Sequence, residues 1–119
     1  MRPDTNEIFR TMKSGNLYSK VPLELPGEFL EVLTEGSGKI RLERIVSRQH
    51  ASPPDSWYDQ ESTEWILLLS GSAVLQFAEQ STTTEMIPGD WIEIPPHQKH
   101  RVESTSESKD TVWLAIHWE

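Results

Sequence analysis

The sequence contains no cysteine, which excludes disulfides, thiolate metal ligation and a cysteine nucleophile together. Any metal bound by its side chains must be held by imidazole nitrogen or by carboxylate or amide oxygen. Long apolar runs are missing too. The longest is Trp65 to Leu69, against the roughly 20 residues that a membrane-spanning helix needs. The opening MRPDTNEIFR lacks the apolar stretch of a secretion signal, so the expectation is a cytoplasmic protein. Basic residues are scarce, 11 Lys and Arg against 19 Asp and Glu, for a net charge of −8. That balance disfavours nucleic acid and anionic membranes, both of which are recognised through a surplus of Lys and Arg. The expected partner is a small molecule. Phosphate-cradling glycine loops, a nucleophile elbow, a paired-histidine helix and a basic aromatic patch are all absent.

What is present points to one β-rich domain. A chain of 119 residues can bury a core but is short for two domains. Five Trp, three Phe and two Tyr argue for a packed interior, and 6 Gly with 8 Pro punctuate short elements. Residues 1–15 read as a poorly ordered lead-in. Val21 to Gly27, broken by Pro22 and Pro26, reads as an edge segment or extended arm, because proline removes ladder donors. Residues 1–27 are thus a lead-in and arm, and 28–119 the folded barrel. Phe29–Thr34 and Ile40–Val46 flank a glycine-containing loop and predict a hairpin, with Ile40, Leu42 and Val46 on one face. Glu64–Leu69 ends at the Ser70-Gly71 turn, with Ala73–Phe77 expected as its partner. Trp91–Ile94, His100–Glu103 and Thr111–Trp118 complete about eight short strands with no ten-residue helical period. A sandwich or barrel follows.

The segment from Pro88 to His100, PGDWIEIPPHQKH, resembles the second motif of the cupin superfamily. Gly89, Pro95 and His100 stand at its main positions, with His97 where glycine is frequent and Ser104 where asparagine is frequent. Glu64, six residues and Gly71 match the end of the first motif. The resemblance spans about residues 40–118 and implies an all-β, double-stranded β-helix (jelly-roll) barrel with a site in its mouth. It also implies a homodimer, since small cupins commonly pair. Metal-binding cupins carry His-x-His shortly before the glutamate. Here those positions hold Tyr58 and Gln60, or Trp57 and Asp59 at the longer spacing.

The candidate site follows from this match. His100, a strand histidine in the second motif, is a ligand or proton carrier. Glu64 opens an apolar strand, where a carboxylate must be paired, protonated or metal-bound. Asp59 and Gln60 offer oxygen donors in place of histidine, and His50 is placed to reach across the mouth. Trp57 and Tyr58 line the ligand pocket. His97 follows two prolines and is expected to be exposed, and His117 is left without a role. Arg41, Arg44, Arg48 and Arg101, interleaved with Glu43 and Glu103, read as cross-strand ion pairs of little weight each. Three functions stay open. One is a divalent-metal site (Mn, Fe, Ni or Zn) built from Glu64, His100, Gln60, Asp59 and His50. The second is metal-free acid–base chemistry on a sugar-like substrate, with His50 or His100 as base and Tyr58 as acid. The third is non-catalytic ligand binding.

Overall fold

Eight strands account for the regular structure, and there is no helix among the described residues. The structure, a computed structural model, describes residues 16–36 and 38–119. The strands are β1 (Phe29–Gly36), β2 (Ile40–Ser47), β3 (Thr63–Ser70), β4 (Ala73–Phe77), β5 (Thr83–Met86), β6 (Trp91–Ile94), β7 (His100–Thr105) and β8 (Thr111–Trp118). They form a five-stranded sheet ordered β1-β2-β8-β3-β6 and a three-stranded sheet ordered β5-β4-β7. Every pairing is antiparallel. The predicted lead-in, residues 1–15, lies outside the described residues.

Strand alternation explains the core. Ile66 and Leu68 of β3, Leu75 and Phe77 of β4, and Trp113 and Ala115 of β8 point inward and pack with Met86 and Ile94. Leu68 and Ala115 are fully buried. This is the arrangement of two sheets closing on one apolar layer.

The hairpin of β1 and β2 forms as expected, but one other expectation changes. Ala73–Phe77 does not pair with Glu64–Leu69. β3 pairs with β6 and β8, whereas β4 pairs with β5 and β7 in the other sheet. The chain crosses between sheets at Gly71, whose φ of +84° suits glycine and whose added Cβ would lie 2.6 Å from Thr111 Cα. Along β2, Arg41, Glu43 and Ile45 face the interior cavity, on the face opposite to the one shared by Ile40, Leu42 and Val46. Val46 is nevertheless fully buried, and residues 17–25 are hydrogen-bonded to side chains of β2 and of the residues that follow it. Arg44 donates to the carbonyls of Leu17 (3.3 Å) and Ser19 (2.5 Å), and Arg48 donates to that of Leu23 (2.9 Å). The proline-broken arm is therefore tied to its own sheet without becoming a strand.

Candidate functional site

One cavity of about 150 Å³ opens between the sheets. Its polar lining comes from Glu28, Arg41, Glu43, Tyr58, Gln60, Glu64, His100 and His117. The apolar floor is Ile45, Ile66, Leu75, Val102 and Trp113. Register explains how these residues meet. Glu64 lies directly opposite His117 on the neighbouring strand, and Glu43 is diagonal to it across the β2–β8 pair. His100 comes from the facing sheet. Tyr58 is brought in by a short bridge to His100, with backbone bonds of 2.7 and 3.1 Å. Their rings sit 5.5 Å apart.

The titratable side chains form a continuous line. His117 Nε2 lies 2.8 Å from Glu43 Oε1 and 3.4 Å from Glu64 Oε2, and His100 Nε2 lies 3.4 Å from Glu64 Oε1. Glu43 also accepts from Arg41 Nε at 2.7 Å. Glu43, Glu64, His100 and His117 are all buried, at 3, 7, 6 and 4% exposure. Each would be costly alone in such surroundings, and each is instead partnered by an opposite charge or donor. Carboxylate oxygens flank His117 Nε2 on two sides, so that nitrogen carries a proton. His100 Nδ1 lies 2.9 Å from the Gln98 carbonyl, which only accepts, so Nδ1 carries a proton and Nε2 is the exchangeable position.

The surroundings shift three groups. Burial opposes the charged form of His100, but its hydrogen bonds to Glu64 and the Gln98 carbonyl outweigh that, and its pKa rises above 6.5. Burial pushes the Tyr58 phenol upward, and the nearby charges of Glu28 and Glu64 push the same way. Burial raises the Glu28 carboxyl as well, against the 2.8 Å hydrogen bond it accepts from Ser47 Oγ.

The residues expected to form the site divide. Glu64, His100, Gln60 and Tyr58 line one cavity. Asp59, His50 and Trp57 do not. Asp59 is engaged by His97 Nδ1 at 2.8 Å in an exposed pair, which also places His97 at the surface as expected. His50 accepts the Arg48 backbone N–H at 3.0 Å through Nδ1, and its Nε2 lies 3.1 Å from the Leu25 carbonyl. Both its nitrogens are thus engaged, Nδ1 by its own stretch of chain and Nε2 by the arm. Trp57 is 38% exposed. Glu43, His117, Glu28 and Arg41 line the cavity without having been assigned to it. Arg41–Glu43, read above as a weak surface pair, stands at the cavity wall.

A divalent ion requires several donors around one point. Among the described residues, no group of three or more His, Asp or Glu is arranged that way. The imidazoles and carboxylates face one another in sequence along a line, and Tyr58 and Gln60 occupy the two positions where a cupin metal site has histidines. This donor set does not fit a cupin metal.

The cupin domain model matches residues 44–117. A protein of Ralstonia eutropha JMP134, named provisionally as a mannose-6-phosphate isomerase, is 42% identical, with a TM-score of 0.86 over 91% of this chain and 99% of its own. A cupin superfamily protein of Desulfitobacterium hafniense DCB-2 shares 15% identity, with a TM-score of 0.65 over 82% and 83% of the two chains. A polyketide cyclase of Streptomyces resistomycificus shares 22%, with a TM-score of 0.70 over 90% and 79%. The last two show the fold alone. No curated protein matches the chain.

Proposed function

This chain belongs to the cupin family, and from that premise we propose that it is a metal-independent acid–base catalyst that isomerises a small sugar-like carbonyl compound. The observation that carries this reading is the buried line Glu43–His117–Glu64–His100, which ends beside Tyr58 in the cavity wall. Isomerisation next to a carbonyl needs a base for the carbon-bound proton and a donor for the carbonyl oxygen. His100 Nε2 is the base in the neutral form of the ring, which exists above its raised pKa. Its Nδ1–H is fixed by the Gln98 carbonyl, and the Glu64 carboxylate stabilises the imidazolium formed when Nε2 takes the proton. Tyr58 is the donor, held as a neutral phenol by burial and by the carboxylates near it. The C–H electron pair becomes the C=C bond of an enediol, and the carbonyl π pair moves to oxygen, which receives the Tyr58 proton. His100 then delivers its proton to the neighbouring carbon, and the other enediol hydroxyl gives its proton to the Tyr58 phenolate and becomes the new carbonyl, so the exchange closes without an oxidant. The 42% identical relative, named provisionally for a sugar isomerase, supports the same reaction class.

The test is deuterium incorporation from D₂O beside the carbonyl of an aldose–ketose pair, followed by NMR in chelator-treated buffer. Wild type should catalyse it, and His100→Ala and Tyr58→Phe should each lose about 10²-fold or more. Exchange that appears only when Mn, Ni or Zn is restored would replace this reading with the metal-dependent one.

A further inference from the structure

We infer that the cavity takes an uncharged polyhydroxylated carbonyl compound, a free sugar and not its phosphate ester. This rests on the isomerase reading for the reaction but not for the binding.

The lining is rich in acceptors, and its basic side chains, Arg41, His100 and His117, already face Glu43 or Glu64. Glu28, Glu43 and Glu64 contribute three carboxylates, and Gln60 adds an amide oxygen. Ionised carboxylates only accept hydrogen bonds, so their natural complement is a set of hydroxyl donors, which a sugar supplies. A phosphate dianion has only acceptor oxygens and is recognised by arginine, lysine, clustered backbone N–H groups or a helix N-terminus. The lining contains no lysine. Its one arginine, Arg41, already donates from Nε to Glu43 at 2.7 Å. No helix terminus is present among the described residues. The neutral donors that remain are the Tyr58 hydroxyl and the Gln60 amide N–H groups. These suit a carbonyl or hydroxyl oxygen.

Size and long-range charge agree. A volume of about 150 Å³ corresponds to roughly ten waters, the bulk of one monosaccharide. The net charge of −8 repels an approaching dianion before any contact forms.

The experiment is titration calorimetry of the intact protein with mannose and with mannose 6-phosphate, in wild type and Glu28→Gln, at low and high salt. Mannose should bind at least tenfold more tightly than its phosphate. Glu28→Gln and added salt should each narrow that gap by weakening the repulsion. Equal or tighter binding of the phosphate overturns the inference, as does failure of both sugars to bind. A gap indifferent to both salt and Glu28→Gln also overturns it, because charge would then not be its cause. Mannose binding without deuterium exchange would leave the inference standing and remove the isomerase reading. Exchange on a preferred phosphate ester would do the reverse.

Discussion

Replacing Glu43 with alanine should be among the most damaging single changes in the chain, although the residue lies outside the two cupin motifs. Its carboxylate accepts from His117 Nε2 at 2.8 Å and from Arg41 Nε at 2.7 Å. At 4% side-chain exposure, solvent cannot take its place. Removing it leaves His117 with only the longer contact to Glu64 at 3.4 Å. Breaking a buried ion pair from one side costs about 3–5 kcal/mol, most of it from the partner left behind. An entropy of unfolding of about 0.25 kcal/mol/K for a domain of this length converts that loss into a fall in Tm of roughly 12–20 °C. Arg41 adds little to the damage, because its side chain is 44% exposed and water can solvate it. A double-mutant cycle isolates the pair. Glu43→Ala and His117→Ala should each be severe, while the double variant should be less destabilised than their sum by about 1.5–3 kcal/mol. Thermal and urea unfolding followed by circular dichroism measure all four proteins. Additive effects, or a Glu43→Ala loss under 1 kcal/mol, would refute the buried line as the structure draws it.

Other expectations follow from the same geometry. Because the folded state raises the pKa of His100 above 6.5, it binds the proton more tightly than the unfolded chain. The resulting stabilisation is complete below pH 6.5 and fades as pH rises through the folded value. Urea midpoints from pH 5.5 to 9 should show that decline in wild type and lack it in His100→Gln, and an unchanged slope counts against the Glu64–His100 contact. Gly71→Ala should cost about 2 kcal/mol or more, since φ is +84° and the new methyl would meet Thr111 and the Asp110 carbonyl; a neutral result in a thermal melt would mean that the crossover is not held as tightly as drawn. The expected homodimer can be measured by light scattering across a hundredfold concentration range. Trp91, 60% exposed and stacked on Trp65 at 5.8 Å, is the apolar surface whose change to glutamate should shift the mass toward monomer.

The motif positions were legible in the sequence because backbone geometry enforces them. Gly89 adopts φ +95° in the turn before β6, and the spacing from it to His100 is the length of a turn, a short strand and a second turn. Glu64 was legible for a different reason, since a carboxylate opening an apolar strand demands a partner. The partner was harder to see. An arginine is the usual guess, whereas the structure supplies two histidines from two sheets, and the β3–β8 pairing that brings His117 opposite Glu64 is non-local. The same cause defeats the reading of Ala73–Phe77 as the neighbour of β3. A Ser-Gly turn after a strand signals reversal within a sheet as readily as a crossing between sheets. Only the close approach of Gly71 to Thr111, forty residues on, separates the two.

Strand β2 shows how a site can hide from periodicity. Apolar residues on one face of a strand ordinarily mark the core, and Ile40, Leu42 and Val46 satisfy that rule. In this chain the rule inverts because each face of β2 has an unusual neighbour. On the outward face Val46 is fully buried, and Arg44 donates to the carbonyls of Leu17 and Ser19, just ahead of the proline-broken arm. The inward face borders a polar cavity, and there Arg41 and Glu43 are stabilised by each other and by His117. A strand whose apolar parity points away from the core therefore signals two things at once: a segment of chain packed outside it and a functional cavity inside it. His50, expected as a ligand, instead holds Leu25 just beyond the end of β2, the strand that carries Glu43 into the cavity.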